Sequence, residues 1–122
     1  MNERRAAKPV VWMGSSQKDL RAFPDDVQQT IGYALYLAQL GDKHDQAKPL
    51  KGFGDAGVLE IVEDHAGDTY RAVYTVRIAG AIYVLHVFQK KAKRGIATPK
   101  PDMDLIKRRL RAAADQAKGR RP

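Results

Sequence analysis

The chain is predicted to adopt an α+β fold: an antiparallel-rich sheet of about four strands, two N-terminal helices packed on it, and a basic C-terminal helix. Three observations lead there. Apolar residues recur at helical spacing from Val27 to Ala38. Between Val58 and Phe88 the pattern changes to runs of Val, Ile, Tyr and Thr broken by Gly. After Pro101 the helical period returns, now crowded with Lys and Arg. The order of elements reads β-α-α-β-β-β-α, with no internal repeat.

Each element has a local reason. Residues 1–8 have no periodicity and read as a flexible lead to a single domain over 9–117. Pro9-Val10-Val11-Trp12-Met13 is a short apolar strand stopped by Gly14. Ser15 or Ser16 can cap a short helix through Phe23, which Pro24 interrupts. A longer helix then starts at Pro24-Asp25-Asp26, where Pro fits the first turn and carboxylates suit the positive end of the helix dipole. Val27, Ile31, Ala34, Leu35 and Ala38 form its apolar stripe, and Leu40-Gly41 supplies the stop. Residues 42–57 are polar, contain Pro49, Gly52, Gly54 and Gly57, and read as a connection long enough to be functional.

The sheet follows. Val58–Glu63 is a strand, His65-Ala66-Gly67-Asp68 a turn, and Thr69–Ile78 a second strand. Ala79-Gly80 is read as a tight hairpin loop into a third strand, Ala81–Phe88, apolar on both faces and therefore covered on both. Pro99 and Pro101 close a linker before a helix over Asp102–Ala117, with Met103, Ile106, Leu110 and Ala113 on one side. Lys107, Arg108, Arg109 and Arg111 lie largely elsewhere on that helix. Residues 118–122 read as a basic disordered tail.

Composition narrows the function. There is no Cys among the 122 residues, so neither disulfides nor thiolate metal sites are available. No apolar run approaches the roughly 18 residues of a membrane helix, and Met1–Arg5 is not followed by a signal-type apolar region. A cytoplasmic protein with no membrane role is expected. The formal net charge is +8 and unevenly spread. Residues 1–88 hold 10 Lys/Arg against 11 Asp/Glu, while residues 89–122 hold 12 against 3. That asymmetry favours a polyanionic partner, or reflects a solvated basic tail.

Candidate residues follow from alternation. Tyr70, Ala72, Tyr74 and Val76 share one face of their strand, and Arg71, Val73, Thr75 and Arg77 the other. Arg71 in mid-strand needs a partner: an anion held bidentately, an ion pair with Glu60 or Glu63, or solvent reached by snorkelling. Lys90, Lys91, Lys93 and Arg94 follow the apolar strand, where they either form a phosphate site or keep an edge soluble. Clustered lysines repel, which lowers a pKa toward the range useful for proton transfer. Lys48 and Lys51 precede Gly52-Phe53-Gly54, without a phosphate-loop signature. His44 and His65 lie in polar turns, while His86 falls in an apolar strand in phase with Val84 and Phe88 and is read as a core histidine. No spacing fits a metal site or a nucleophilic triad, so no cofactor and no metal are expected.

Taken together, Lys48-Pro49-Leu50-Lys51-Gly52, Glu60-Ile61, Tyr70-Arg71-Ala72-Val73-Tyr74, Leu85-His86-Val87-Phe88-Gln89-Lys90-Lys91 and Asp104-Leu105-Ile106-Lys107-Arg108-Arg109-Leu110 resemble the RelE/ParE toxin superfamily, in its phage-derived HigB-like branch. The resemblance spans roughly residues 9–112. It implies a small RelE-like fold and the toxin of a type II toxin–antitoxin system: a metal-independent mRNA endoribonuclease acting with the ribosome, arresting growth and neutralised by a helix-turn-helix antitoxin. Operator DNA would be met only through the antitoxin complex. In such chemistry the ribose 2′-OH attacks the adjacent phosphate and expels the 5′-oxygen.

By position, Arg71 corresponds to the family's strand arginine and would clamp phosphate. Lys51 and Lys48 match the basic connection, as base or phosphate ligand. Lys90 and Lys91 would stabilise charge or donate the proton. Lys93, Arg94, Lys107 and Arg108 would grip RNA. Two departures stand out: Thr98–Met103 contains no Tyr where some RelE-like toxins place one, and no His follows His86. The ParE branch, which inhibits DNA gyrase, and an inactive antitoxin-binding relic are the alternative readings.

Overall fold

A computed structural model describes residues 7–54, 56–90 and 98–119. Among them lie β1 (Val10–Trp12), α1 (Ser16–Arg21), α2 (Asp25–Gln39), β2 (Ala47–Pro49), β3 (Val58–His65), β4 (Asp68–Thr75), β5 (Ile82–Lys90) and α3 (Lys100–Gly119). The strands make one five-stranded sheet, ordered β1-β5-β4-β3-β2. All pairings are antiparallel except β1 with β5. The architecture is α+β, with α1 and α2 on one face and α3 on the other.

Alternation explains the two cores. Ile61, Tyr70, Ala72, Tyr74, Ile82 and Val84 point from the sheet toward Leu20 of α1 and the α2 stripe. All five α2 residues expected to be apolar contacts are buried: Val27, Ile31, Ala34, Leu35 and Ala38. The α2 stop is also as read, since Gly41 takes φ 87° and the Asp42 N–H donates to the Leu37 carbonyl at 2.8 Å. On the opposite face Val73, Tyr83 and Leu85 pack with Ile106 and Ala113 of α3. The Tyr74 hydroxyl is buried without a hydrogen-bond partner among the described residues, and burial pushes its pKa up to about 12.

Several boundaries differ from the sequence reading. The connection over 42–57 contains β2, an edge strand of 3 residues, so the sheet has 5 strands and not about four. β4 ends at Thr75, and residues 76–81 form a longer loop in place of a two-residue Ala79-Gly80 turn. α3 starts at Lys100, with Pro101 in its first turn where a missing N–H costs nothing, and it runs through Lys118 to Gly119. Lys8 is tied down, its N–H donating to the Gln39 carbonyl at 3.0 Å, so it does not belong to a free lead. Among the described residues, no helix is long and apolar enough to cross a membrane.

One irregularity in the sheet re-aims the side chains of β5. Val73 pairs with His86, but its neighbour Tyr74 pairs with Val84, leaving Leu85 as an extra residue in β5. Side-chain phase therefore changes there. Val84 faces α2, whereas Leu85, His86 and Phe88 lie on the α3 side. The expectation that His86 shares a face with Val84 fails for this reason. The bulge carbonyl of Leu85 accepts a hydrogen bond from Arg109 Nη1 at 2.9 Å. Burial lowers the Arg109 pKa, with Asp19 opposing and Arg108 adding to the shift.

Gly14 adopts φ 54°, and a Cβ there would lie 2.5 Å from Arg109 Nη2. Gly14→Ala must then adopt an unfavourable backbone or displace Arg109 from Leu85. A loss of about 2 kcal/mol is expected, read from the urea midpoint. An unchanged midpoint would show that Arg109 is not tied as described.

Candidate functional site

The α3 side of the sheet is not fully covered. Directly opposed residues of antiparallel strands share a face, so three rows can be read from the register. Lys48, Glu60 and Val73 form the first; Val62, Arg71 and Phe88 the second; Asp64, Thr69 and Lys90 the third. Toward β5 these rows run under α3. Toward β2 they open into a cleft of about 940 Å³ lined by Asp45, Lys48, Lys51, Glu60, Asp64 and Arg71, with Thr98 and Met103 from the segment entering α3.

Arg71 is the centre of that cleft and only 6% exposed. Its Nη1 donates to Thr98 Oγ1 at 3.2 Å and lies 3.6 Å from Glu60 Oε2. Of the two carboxylates weighed from sequence, Glu60 is the one that faces Arg71. Glu63 points to the other side of the sheet, where its carboxylate accepts a hydrogen bond from Thr30 at 3.0 Å. A guanidinium and a carboxylate taken out of water together need each other, since either alone would be an uncompensated buried charge. Glu60 Oε2 nonetheless has no hydrogen-bond partner among the described residues. It is a charged acceptor with spare capacity at the edge of an open cleft.

Lys90 stands one row from Arg71 at the end of β5. Desolvation holds its ammonium below the usual pKa. The Arg71 guanidinium adds to that shift, while Asp102 and Glu60 oppose it. Lys48 and Lys51 line the cleft from β2 and the turn after it. Lys107 and Arg108 are exposed on α3 and do not line the cleft. Lys91, Lys93 and Arg94 lie outside the described residues.

Two groups escaped the sequence reading as site residues. Glu60 was legible only as a partner for Arg71. The other is a pair: His86 Nε2 meets Asp102 Oδ1 at 2.7 Å, and the His86 ring stacks on Phe88 with centroids 4.5 Å apart. The phase of β5 concealed it, because an unbroken strand turns His86 toward α2. Among the described residues no cluster of His, Asp and Glu could hold a metal ion.

Comparison with known proteins adds the following. A family model described as "Phage derived protein Gp49-like (DUF891)" matches residues 18–111. This span contains every described cleft-lining residue. A chain of the toxin–antitoxin complex RelBE2 from Mycobacterium tuberculosis is similar at 16% identity and a TM-score of 0.46, covering 75% of this chain and 100% of that one. No curated protein sequence matches.

Two outcomes follow from this geometry. Arg71→Met leaves Glu60 buried beside an apolar side chain and should cost about 3 kcal/mol in urea unfolding. The double variant Glu60→Leu/Arg71→Met should recover most of that loss. Strict additivity of the two single changes would mean that the pair is not coupled. Separately, a lowered pKa gives Lys90 more free amine at pH 8 than an exposed lysine has. Acetic anhydride should therefore label Lys90 ahead of Lys107 in peptide mass spectra, and the reverse order would contradict the assigned environment.

Proposed function

We propose, since the chain belongs to the phage-derived Gp49-like family, a family of the RelE/HigB toxin type, that it is the toxin of a type II toxin–antitoxin system and an endoribonuclease that cleaves mRNA at the ribosome. The observation that carries this reading is the cleft in which Arg71, Lys48 and Lys51 converge beside the underused carboxylate of Glu60, with Lys90 one row away. Cations alone would suit any polyanion. A carboxylate next to the phosphate-binding guanidinium suits a reaction that must remove a proton.

The roles follow from the chemistry. A phosphate entering the cleft takes the Arg71 guanidinium as its bidentate partner. Glu60, released from that contact, accepts the proton of the ribose 2′-OH through Oε2. The 2′-oxygen bonds to phosphorus, the bond from phosphorus to the 5′-oxygen breaks, and Lys90 protonates the departing oxygen. A 2′,3′-cyclic phosphate and a 5′-hydroxyl result. The depressed pKa of Lys90 makes its ammonium a better acid than an ordinary lysine's. Lys48 and Lys51 neutralise flanking phosphates, with Lys51 the alternative base. Lys91 helps stabilise the charge building on the phosphate, and Lys93 and Arg94, together with Lys107 and Arg108 on the exposed face of α3, hold RNA by its backbone. A helix-turn-helix antitoxin is the partner expected to block this surface, in the cytoplasm where translation occurs.

Arg71→Lys keeps the charge that Glu60 requires but loses the planar fork. On induction in a bacterial host, the unaltered chain should arrest growth and generate new mRNA 5′-hydroxyl ends. Arg71→Lys should cut about 10²-fold less while remaining folded. Arrest with intact mRNA, accompanied by DNA damage signalling and altered supercoiling, would replace the nuclease reading with gyrase inhibition. No arrest at all would leave only an antitoxin-binding relic.

A further inference from the structure

The wall of the cleft opposite the sheet is the beginning of α3, where Met103 is half-buried against the core and no residue is fully buried. The fully buried residues of this helix are Ile106 and Ala113, and both follow its first turn. Ahead of them, Asp102, Met103, Asp104 and Leu105 are half-buried. Helix starts fray unless something fixes them. Among the described residues, three side-chain contacts bear on it here. Thr98 Oγ1 accepts from Arg71 at 3.2 Å. The Met103 methyl lies against Gly52, where a Cβ would come within 3.3 Å of it. Asp102 Oδ1 meets His86 Nε2 at 2.7 Å. The first contact is long and the second is dispersion on a flexible side chain. The third is short and charge-assisted.

Its construction is specific. A carboxylate can only accept, so Nε2 of His86 carries the proton toward Asp102. The ring is fixed from behind by stacking on Phe88 at an interplanar angle of 15°. His86 is 7% exposed, and its Nδ1 is buried without a hydrogen-bond partner among the described residues. It does not line the cleft. It faces α3 only because Leu85 is inserted into β5, the kind of irregularity that re-aims a side chain. A strand that gives up a regular ladder and leaves a ring nitrogen unmatched, to make one contact beside the cleft, has placed a tether there.

We propose that His86 and Asp102 are a positioning pair: they seat the first turn of α3 on β5, and so hold Thr98 and Met103 as the wall against which Arg71 presents phosphate. The pair acts through Thr98 and Arg71, and in its kinetic consequence the proposal rests on the nuclease reading. Asp102 also bears on Lys90 electrostatically, so losing the seat disturbs both ends of the site.

Four variants test this. His86→Val and Asp102→Ala remove the contact. His86→Gln keeps a donor near the place of Nε2, and Asp102→Asn keeps an acceptor. Amide hydrogen exchange over residues 102–106 should quicken at least ~10-fold in the first two, with α2 and β4 unchanged, and stay near the parent rate in the second two. With ribosomes programmed with a defined mRNA, His86→Val and Asp102→Ala should lower kcat by ~10-fold or more, with KM within about threefold. His86→Gln and Asp102→Asn should recover most of that loss. A merely structural contact would lower the active fraction, or shift kcat and KM without recovery by the amide variants. Unchanged exchange in His86→Val and Asp102→Ala overturns the proposal. So does faster exchange with kcat intact, or amide variants as impaired as the deletions. If the parent chain itself cleaves no mRNA, the nuclease reading fails, and the exchange series alone decides whether the pair seats the helix.

Discussion

A guanidinium in the middle of a covered sheet has to be answered by its surroundings, and on the α3 side of this protein the answer organises everything nearby. Arg71 sits in β4, hydrogen-bonded to strands on both sides, so neither its backbone nor its first carbons can reach water. The register places Glu60 one row away and Lys48 beside Glu60. These rows cannot be roofed by an apolar helix face without stranding charges, and there the cleft opens. Where the rows become apolar, at Val73, Tyr83 and Leu85, α3 closes over them with Ile106 and Ala113. The border between core and cleft follows the change, within these rows, from charged side chains toward β2 to uncharged ones toward β5.

The second organising element is the extra residue in β5. A bulge leaves backbone groups unmatched and turns side chains out of phase, and α3 uses both effects. Arg109 donates to the carbonyl of Leu85, and its guanidinium lies over Gly14, where only glycine leaves room. About two turns earlier, Asp102 accepts a hydrogen bond from Nε2 of His86, the next residue of β5. The helix is thus tied on both sides of Ile106 to two consecutive residues of a single strand. An arginine that reads from sequence as part of a basic surface stripe is an anchor, while Lys107 and Arg108 beside it remain in solvent.

Local periodicity made much of this legible. The α2 stripe, its glycine stop and the two faces of β4 are properties of consecutive residues, and each is found as read. The partnership of Arg71 with Glu60 was one of two options that strand alternation permits. What stayed hidden depends on pairing between distant segments. β2 is too short and too rich in turn residues nearby to announce itself, and it exists because β3 offers a free edge. The bulge is invisible because Leu85-His86-Val87 alternates as well in one phase as in another. An unbroken phase in β5 hides the His86–Asp102 contact, since Asp102 is 16 residues away across a linker.

The charge of the cleft bears on what it is for. Excess positive charge belongs to the last 34 residues of the chain, whereas the described cleft lining is balanced: Lys48, Lys51 and Arg71 against Asp45, Glu60 and Asp64. A surface that only has to hold a polyanion is weakened by carboxylates, each of which repels phosphate and competes for the cations. The exposed cations of α3 can supply attraction at a distance, and salt screens that attraction within about 8–10 Å. Inside the cleft, screening is weaker and position matters more than net charge. Acid and base groups set within one or two rows of each other are poorly suited to simple adhesion. They suit the proposed reaction, in which a proton is taken from one oxygen and one returned to another across a bound phosphate, and on that ground the mixed composition of the cleft supports the proposal over binding alone.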